Sequence, residues 1–139
     1  MRAGIFVDTS AWYALLSTGD TYHARAMAFL PRALAEYREL ISTNLVIGET
    51  YTLIRSRWGH DAAWQFVRRI RRSRRLRRIF VSEELEREAY ELLESRPEQA
   101  FSFVDGTSFV VMKEQEIPCC FTFDRHFSAA GFTVLPGPA

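Results

Sequence analysis

The sequence predicts an α/β fold, a parallel sheet of about five strands covered by helices on both faces. Three observations lead there. Short apolar runs of strand length alternate along the chain with longer stretches of helical periodicity. The clearest run, Ile5-Phe6-Val7, carries no polar residue, as a strand buried on both faces requires. No repeat or low-complexity linker divides the 139 residues. Residues 1–139 therefore read as one domain, large enough to bury a core without disulfides or a structural metal.

Each element has a local reason. The first strand lies within Gly4–Ser10 and ends at Asp8, and Thr9 and Ser10 open a short apolar helix, Ala11 to Leu16, that stops near Gly19. Asp20 and Thr21 are natural caps for the next helix, whose Tyr22, Ala26, Phe29 and Leu30 form one stripe. Pro31 is expected to kink or divide that helix, with Ala33 to Tyr37 resuming it. Glu39 to Thr43 is the second strand, and Asn44 opens a helix through Glu49 to Ile54. A further helix, capped by Asp61, runs into a series of arginines. Arg78 to Val81 is the expected third strand, and Ser82 caps an amphipathic helix with Leu85, Ala89, Leu92 and Leu93 inward. Ser102 to Glu116 is the next helix, with Val104, Ser108, Val111 and Met112 inward. Pro118 ends it before a fourth strand, Cys119 to Phe123, that closes on Asp124. A short helix, Arg125 to Ala130, and a last strand, Phe132 to Leu135, complete the chain.

Composition narrows the function classes. Apolar residues make up 47% and charged residues 25%, an ordinary globular balance. No apolar stretch approaches the length of a membrane span, and no signal segment precedes the first strand, so a cytoplasmic protein is expected. Cys119 and Cys120 are adjacent, pointing to opposite faces of a strand, which suits core packing and neither a disulfide nor zinc.

Four acids stand apart from the solvated faces. Asp8 and Asp124 end strands, Glu49 lies in an almost uncharged helix, and Asp105 is set among Phe101, Phe103, Val104, Phe109 and Val110. Singly, each reads as a cap or a surface turn. Together, in apolar surroundings, they would repel one another unless cations neutralise them, which points to Mg²⁺ or Mn²⁺. Such an ion activates water and stabilises charge on a phosphoryl group, so phosphodiester hydrolysis is the favoured reaction.

These acids lie in recognisable stretches: Phe6-Val7-Asp8-Thr9-Ser10, the Asn44–Glu49 helix start, Phe103-Val104-Asp105-Gly106-Thr107-Ser108, and Thr122-Phe123-Asp124-Arg125-His126-Phe127. Asp20 with His23, and the ending Ala130-Gly131-Phe132, fit the same pattern. On these residues the chain resembles PIN-domain proteins and, within them, the VapC ribonuclease toxins of toxin–antitoxin pairs. The resemblance covers nearly the whole chain. It implies a three-layer α/β/α sandwich with the four acids meeting at the carboxyl edge of the sheet. It also implies metal-dependent cleavage of RNA by water, with Asp8, Glu49 and Asp105 as core metal ligands and Asp124 as a fourth, more variable one. Ser10 and Thr122 match hydroxyl positions beside the metal. The resemblance further implies a homodimer and an antitoxin partner that blocks the acidic site. His126 is expected to pack at the sheet edge with Phe127, outside the catalytic set, and His23 and His60 to serve surface or helix packing.

The net charge of +1 conceals a cluster of Arg68, Arg69, Arg71, Arg72, Arg74, Arg75, Arg77 and Arg78, punctuated at intervals of three by Ile70, Ser73, Leu76 and Ile79. The spacing allows a helix with one narrow packed side. The cluster suits an RNA-backbone track, a docking face for an acidic partner, or a solvated helix end balanced by the glutamates from Glu83 to Glu94. Lys113 is the only lysine, so arginine is this chain's ordinary base. Alternatives for the whole chain are a PIN nuclease of RNA processing or of DNA, and a non-catalytic RNA-binding module. A receiver-like domain would need an Asp where Val81, Ser82 and Glu83 stand, and an aspartyl-phosphate hydrolase a second Asp where Ser10 stands.

Overall fold

Strand β1 (Arg2–Val7) is the centre of the molecule, flanked by β2 (Tyr37–Thr43) and β4 (Cys119–Phe121), with β3 (Leu76–Ile79) and β5 (Thr133–Leu135) at the edges. Every pairing is parallel: Phe6 stands opposite Ile41 on one side and Cys120 on the other. The structure is a computed structural model that describes residues 1–138; Ala139, the last residue of the expected domain, lies outside the described residues.

Helices α1 (Thr9–Leu16) and α2 (His23–Glu36) connect β1 to β2, and α3 (Asn44–Trp58) and α4 (His60–Arg72) connect β2 to β3. The chain then crosses back through α5 (Glu83–Ser95) and α6 (Phe103–Glu114) to β4, and α7 (His126–Ala129) leads to β5. Right-handed crossovers that advance in opposite directions along a sheet place their helices on opposite faces, which produces the expected three layers. The order reverses beside β1, and it is outside the carboxyl ends of the strands at such a switch point that open α/β sheets bind ligands.

The core explains the central run. Ile5, Phe6 and Val7 are fully buried, as are Phe121 and Phe127. Phe109 of α6 meets Phe127 edge-on at 5.0 Å, and Phe127 lies 6.3 Å from Phe6, so aromatic packing joins a helix layer to the sheet. Gly106 lets α6 approach α5 closely, because a Cβ there would stand 2.9 to 3.1 Å from the Leu93 side chain. Gly59, at φ +92°, makes the turn between α3 and α4 that side chains with a Cβ resist.

Several expected boundaries move. Pro31 neither divides nor ends α2, because it and Met27, whose carbonyl loses its partner, both face solvent while Ala26, Phe29 and Ala33 stay buried. Tyr37 is the buried first residue of β2 and not the end of a helix. Gly59, not Asp61, caps α4, and Asp61 lies in its first turn. Strand β3 begins two residues earlier than expected, with Leu76 opposite Leu40 and Ile79 opposite Thr43. The arginine series is thus not one helix: Arg68, Arg69, Arg71 and Arg72 are on α4, Arg74 and Arg75 in the following turn, and Arg77 and Arg78 on β3. Helix α6 stops at Glu114, with Glu116 at φ 55°.

Candidate metal centre

Asp8 leaves β1 and caps α1. Its Oδ2 accepts from the hydroxyls of Ser10 and Thr122, each at 3.0 Å. Ser10 Oγ in turn accepts from the Phe123 N–H at 3.0 Å, and Thr122 Oγ1 from the Asp124 N–H at 2.9 Å. Each hydroxyl has one proton, and an ionised carboxylate only accepts, so both protons go to Asp8. The 3.0 Å approach of Ser10 Oγ to Thr122 Oγ1 is then a contact between two oxygens that share an acceptor. This ladder fixes the carboxylate and ties the segment after β4 to the start of α1. The hydroxyl positions inferred from the resemblance, Ser10 and Thr122, are the two rungs.

The other acids approach from different elements. Asp105 forms a capping box at the head of α6: Ser102 Oγ accepts from the Asp105 N–H at 2.9 Å, and Asp105 Oδ2 accepts from the Ser102 N–H at 3.0 Å. Asp124 Oδ1 accepts the His126 N–H at 2.8 Å. Glu49, one turn into α3, accepts a 2.6 Å hydrogen bond from the Thr9 hydroxyl. Asp8, Glu49, Asp105 and Asp124 all line one open cleft of about 920 Å³ at the carboxyl edge of the sheet. Their environments differ from the uniformly apolar setting expected: Asp8 and Asp105 are buried, Asp124 is half-buried, and Glu49 is exposed on the cleft side of α3.

Within the cleft, ligand atoms of Asp105, Asp124 and His126 lie within 4.8 Å of one another. Asp8 and Glu49 stand outside that tight group. His126 is therefore not confined to the sheet edge: Phe127 turns into the core, while the imidazole Nδ1 lies 3.1 Å from Asp105 Oδ2 and 3.4 Å from Asp124 Oδ1. Phe101 holds the ring edge-on at 5.5 Å. Sequence reasoning also passed over Thr9 as the partner of Glu49. The signals were an Asx turn, in which Asp124 receives the N–H two residues on, and a hydroxyl directly after the strand-end acid.

Charge in the cleft is under-compensated. Among the described residues, no arginine or lysine is ion-paired with any of the four acids. Burial pushes the Asp8 carboxyl up to about 6, and the Asp105 charge adds to the rise, against the Thr122 and Ser10 hydrogen bonds that lower it. Hard divalent cations take carboxylate and hydroxyl oxygens, and several carboxylates without an arginine or lysine ion pair make a donor set that fits Mg²⁺ or Mn²⁺.

The PIN-domain profile matches residues 5–133. The chain belongs to the PIN-domain family. It is 44% identical over 129 residues to the 23S rRNA-specific endonuclease VapC20 of Mycobacterium tuberculosis, covering 92% of this chain and 95% of that protein. The crystal structure of that VapC20, described as a Sarcin-Ricin loop cleaving toxin, superposes with a TM-score of 0.86 at 41% identity, covering 93% and 96% of the two chains. FitAcB from Neisseria gonorrhoeae shares the fold at 16% identity, with a TM-score of 0.66 over 94% of this chain and 95% of that one. Within the PIN family the chain thus falls in the VapC group.

The arginines for which an RNA track was one of three readings, Arg68, Arg69, Arg71, Arg72, Arg74 and Arg75, do not line the cleft of the acids. The Arg75 guanidinium donates to the carbonyls of Leu34 and Tyr37, each at 2.7 Å, and of Arg38 at 2.9 Å. These carbonyls lie at the amino-terminal edge of the sheet. Arg2, opposite Tyr37, is six residues before Asp8, about 20 Å along a strand. The arginines that do line the acidic cleft are Arg57 and Arg125.

Proposed function

We propose that this PIN-domain chain is a divalent-metal-dependent endoribonuclease and the toxin of a toxin–antitoxin pair. The observation that carries the reading is the gathering of Asp8, Glu49, Asp105 and Asp124, with no arginine or lysine ion-paired to them among the described residues, in one cleft at the switch point of the sheet. The identity to VapC20 over nearly the full length of both chains supports RNA as substrate and makes 23S rRNA the first RNA to test. Residues 1–139 act as one domain, in the cytoplasm, as a homodimer restrained by its antitoxin.

Asp8, Asp105 and Asp124 would hold the ion, with Glu49 or His126 completing the set. When bound, the ion supplies an activated water and stabilises charge on the phosphoryl group. The chain's own residues do the rest. Ser10 and Thr122 hold one Asp8 oxygen and leave the other for the ion. Thr9 orients Glu49. His126, with Nδ1 3.1 Å from Asp105 Oδ2, ties that carboxylate. Arg57 and Arg125 lie on the cleft wall where phosphates on either side of the cut would run.

The test is cleavage of total RNA and of 23S rRNA with Mg²⁺ or Mn²⁺, with EDTA, and with Asp8→Asn. Discrete cuts that vanish with EDTA, and fall at least 100-fold in the variant, are expected. RNA that is bound but left intact under every condition would move the protein to the binding-module reading. Cleavage of DNA alone would remove the toxin role.

A further inference from the structure

We infer that the stacked pair Tyr22–Phe123 is a platform for an unpaired nucleobase beside the bond that is cut; the inference rests on the ribonuclease reading. The two rings lie 4.6 Å apart with an interplanar angle of 8°, and both line the acidic cleft. Tyr22 is 41% exposed, and its hydroxyl makes no hydrogen bond among the described residues. The wall of a charged cleft is a place where an exposed aromatic ring with a polar tip can do more than pack. It is a favourable place for one that receives a flat, partly polar group.

The surroundings choose that group. The Arg25 guanidinium carbon stands 5.4 Å from the Phe123 centroid, and Arg57 and Arg125 line the same cleft, so an aromatic face is framed by cations. Aromatic side chains beside arginines recur where single-stranded nucleic acid binds, because every base has a π-face and every linkage a negative charge. An apolar ligand would leave the arginines without partners.

The platform is also built into the acid site. The Phe123 N–H donates to Ser10 Oγ, and the same oxygen donates to Asp8. Phe123 immediately precedes Asp124. Tyr22 is fixed from the other side by Asp20 Oδ2, which accepts its N–H at 3.0 Å. A bond to Ser10 and an Asx turn at Asp20 thus set the backbone of both residues relative to the acids. A base stacked on Tyr22 fixes which phosphodiester enters the cleft, and a base inside a duplex is unavailable for it. The device selects loops and single strands over helical RNA.

The experiment uses an RNA fragment that the wild-type protein cuts, carrying single abasic nucleotides at successive positions around the cut. Tyr22→Ala is expected to raise KM roughly ten-fold or more, in line with the loss of one stacked base, and to leave kcat within about three-fold. Tyr22→Phe and Tyr22→Trp should restore KM. One abasic position next to the cut should cost as much as Tyr22→Ala, and the two changes together no more than either alone. In the Asp8→Asn background, 2-aminopurine at that position should report altered stacking on binding, and Tyr22→Ala should abolish it. If RNA is cut but Tyr22→Ala matches wild type, or if its loss adds fully to every abasic site, the platform is overturned while the nuclease stands. If the wild-type protein neither cuts nor binds RNA, both fall together.

Discussion

Asp8 shows how one side chain carries both function and a stability cost. Its folded pKa of about 6 lies above the ordinary carboxyl value of 3.8, so between those limits the folded protein holds the proton more tightly than the unfolded chain. In metal-free buffer this contribution to stability is present below about pH 4 and is lost as pH rises through 6. Two units correspond to on the order of 3 kcal/mol. Asp8→Asn keeps an oxygen to accept from Ser10 and Thr122 and removes the charge. It should therefore be more stable than wild type at pH 7 in EDTA by roughly 1–3 kcal/mol. The gap should close near pH 4 and narrow when Mg²⁺ is added, since ligand binding stabilises the wild type more. Urea unfolding of both proteins at the two pH values checks this, and a gap that does not change with pH would contradict it.

The strand-end acids were legible at this scale because a polar residue closing an apolar run has little structural excuse. His126 and Thr9 were not. Their part in the site depends on which way a two-residue turn faces and on a contact 40 positions away, and periodicity carries neither.

At the scale of elements, Arg75 separates two meanings of a basic run. Its three donors satisfy carbonyls at the end of α2 and the start of β2, and its own carbonyl accepts the Leu40 N–H at 2.7 Å. It therefore joins α2, β2 and β3, and its charge complements the helix terminus. Arg75→Ala should lower stability by about 1–2 kcal/mol, because charge-assisted hydrogen bonds are lost from a partly solvated site. RNA affinity and its salt dependence should stay unchanged. Arg75→Lys should recover little, since one ammonium cannot span three carbonyls as the planar guanidinium does. Thermal unfolding beside filter binding separates the two effects, and a variant that folds normally yet binds RNA poorly would return Arg75 to the RNA surface. The same elements show where sequence patterning falls short. Ile70, Ser73, Leu76 and Ile79 keep a spacing of three across a helix end, a turn and a strand. Only the pairing of Leu76 with Leu40 sets where the strand begins.

Over the whole molecule, charge is arranged by the direction of the sheet. Parallel strands bring their carboxyl ends, and with them the acids, to one edge, while the end of α4 and the turn before β3 bring Arg71, Arg72 and Arg74 to the other. That polarity was readable in outline, since alternating strands and helices require it once the strands are parallel. The distance between the two charged regions was not, because it depends on where the arginine helix stops. Arg71, Arg72 and Arg74 are exposed, and no ion pair engages them among the described residues. Because they do not line the acidic cleft they do not touch the nucleotides being cut, but they can hold a folded RNA that extends past it. Reversing all three to glutamate should leave kcat/KM unchanged on an oligonucleotide only long enough to fill the cleft. On a long structured RNA the same variant should lose roughly ten-fold or more in affinity, and the slope of log affinity against log salt should fall by about two to three. Equal losses on short and long RNA would place these arginines closer to the reaction than the fold does. No loss on either would leave them to solvent, or to an acidic partner at the edge of the sheet opposite the acids.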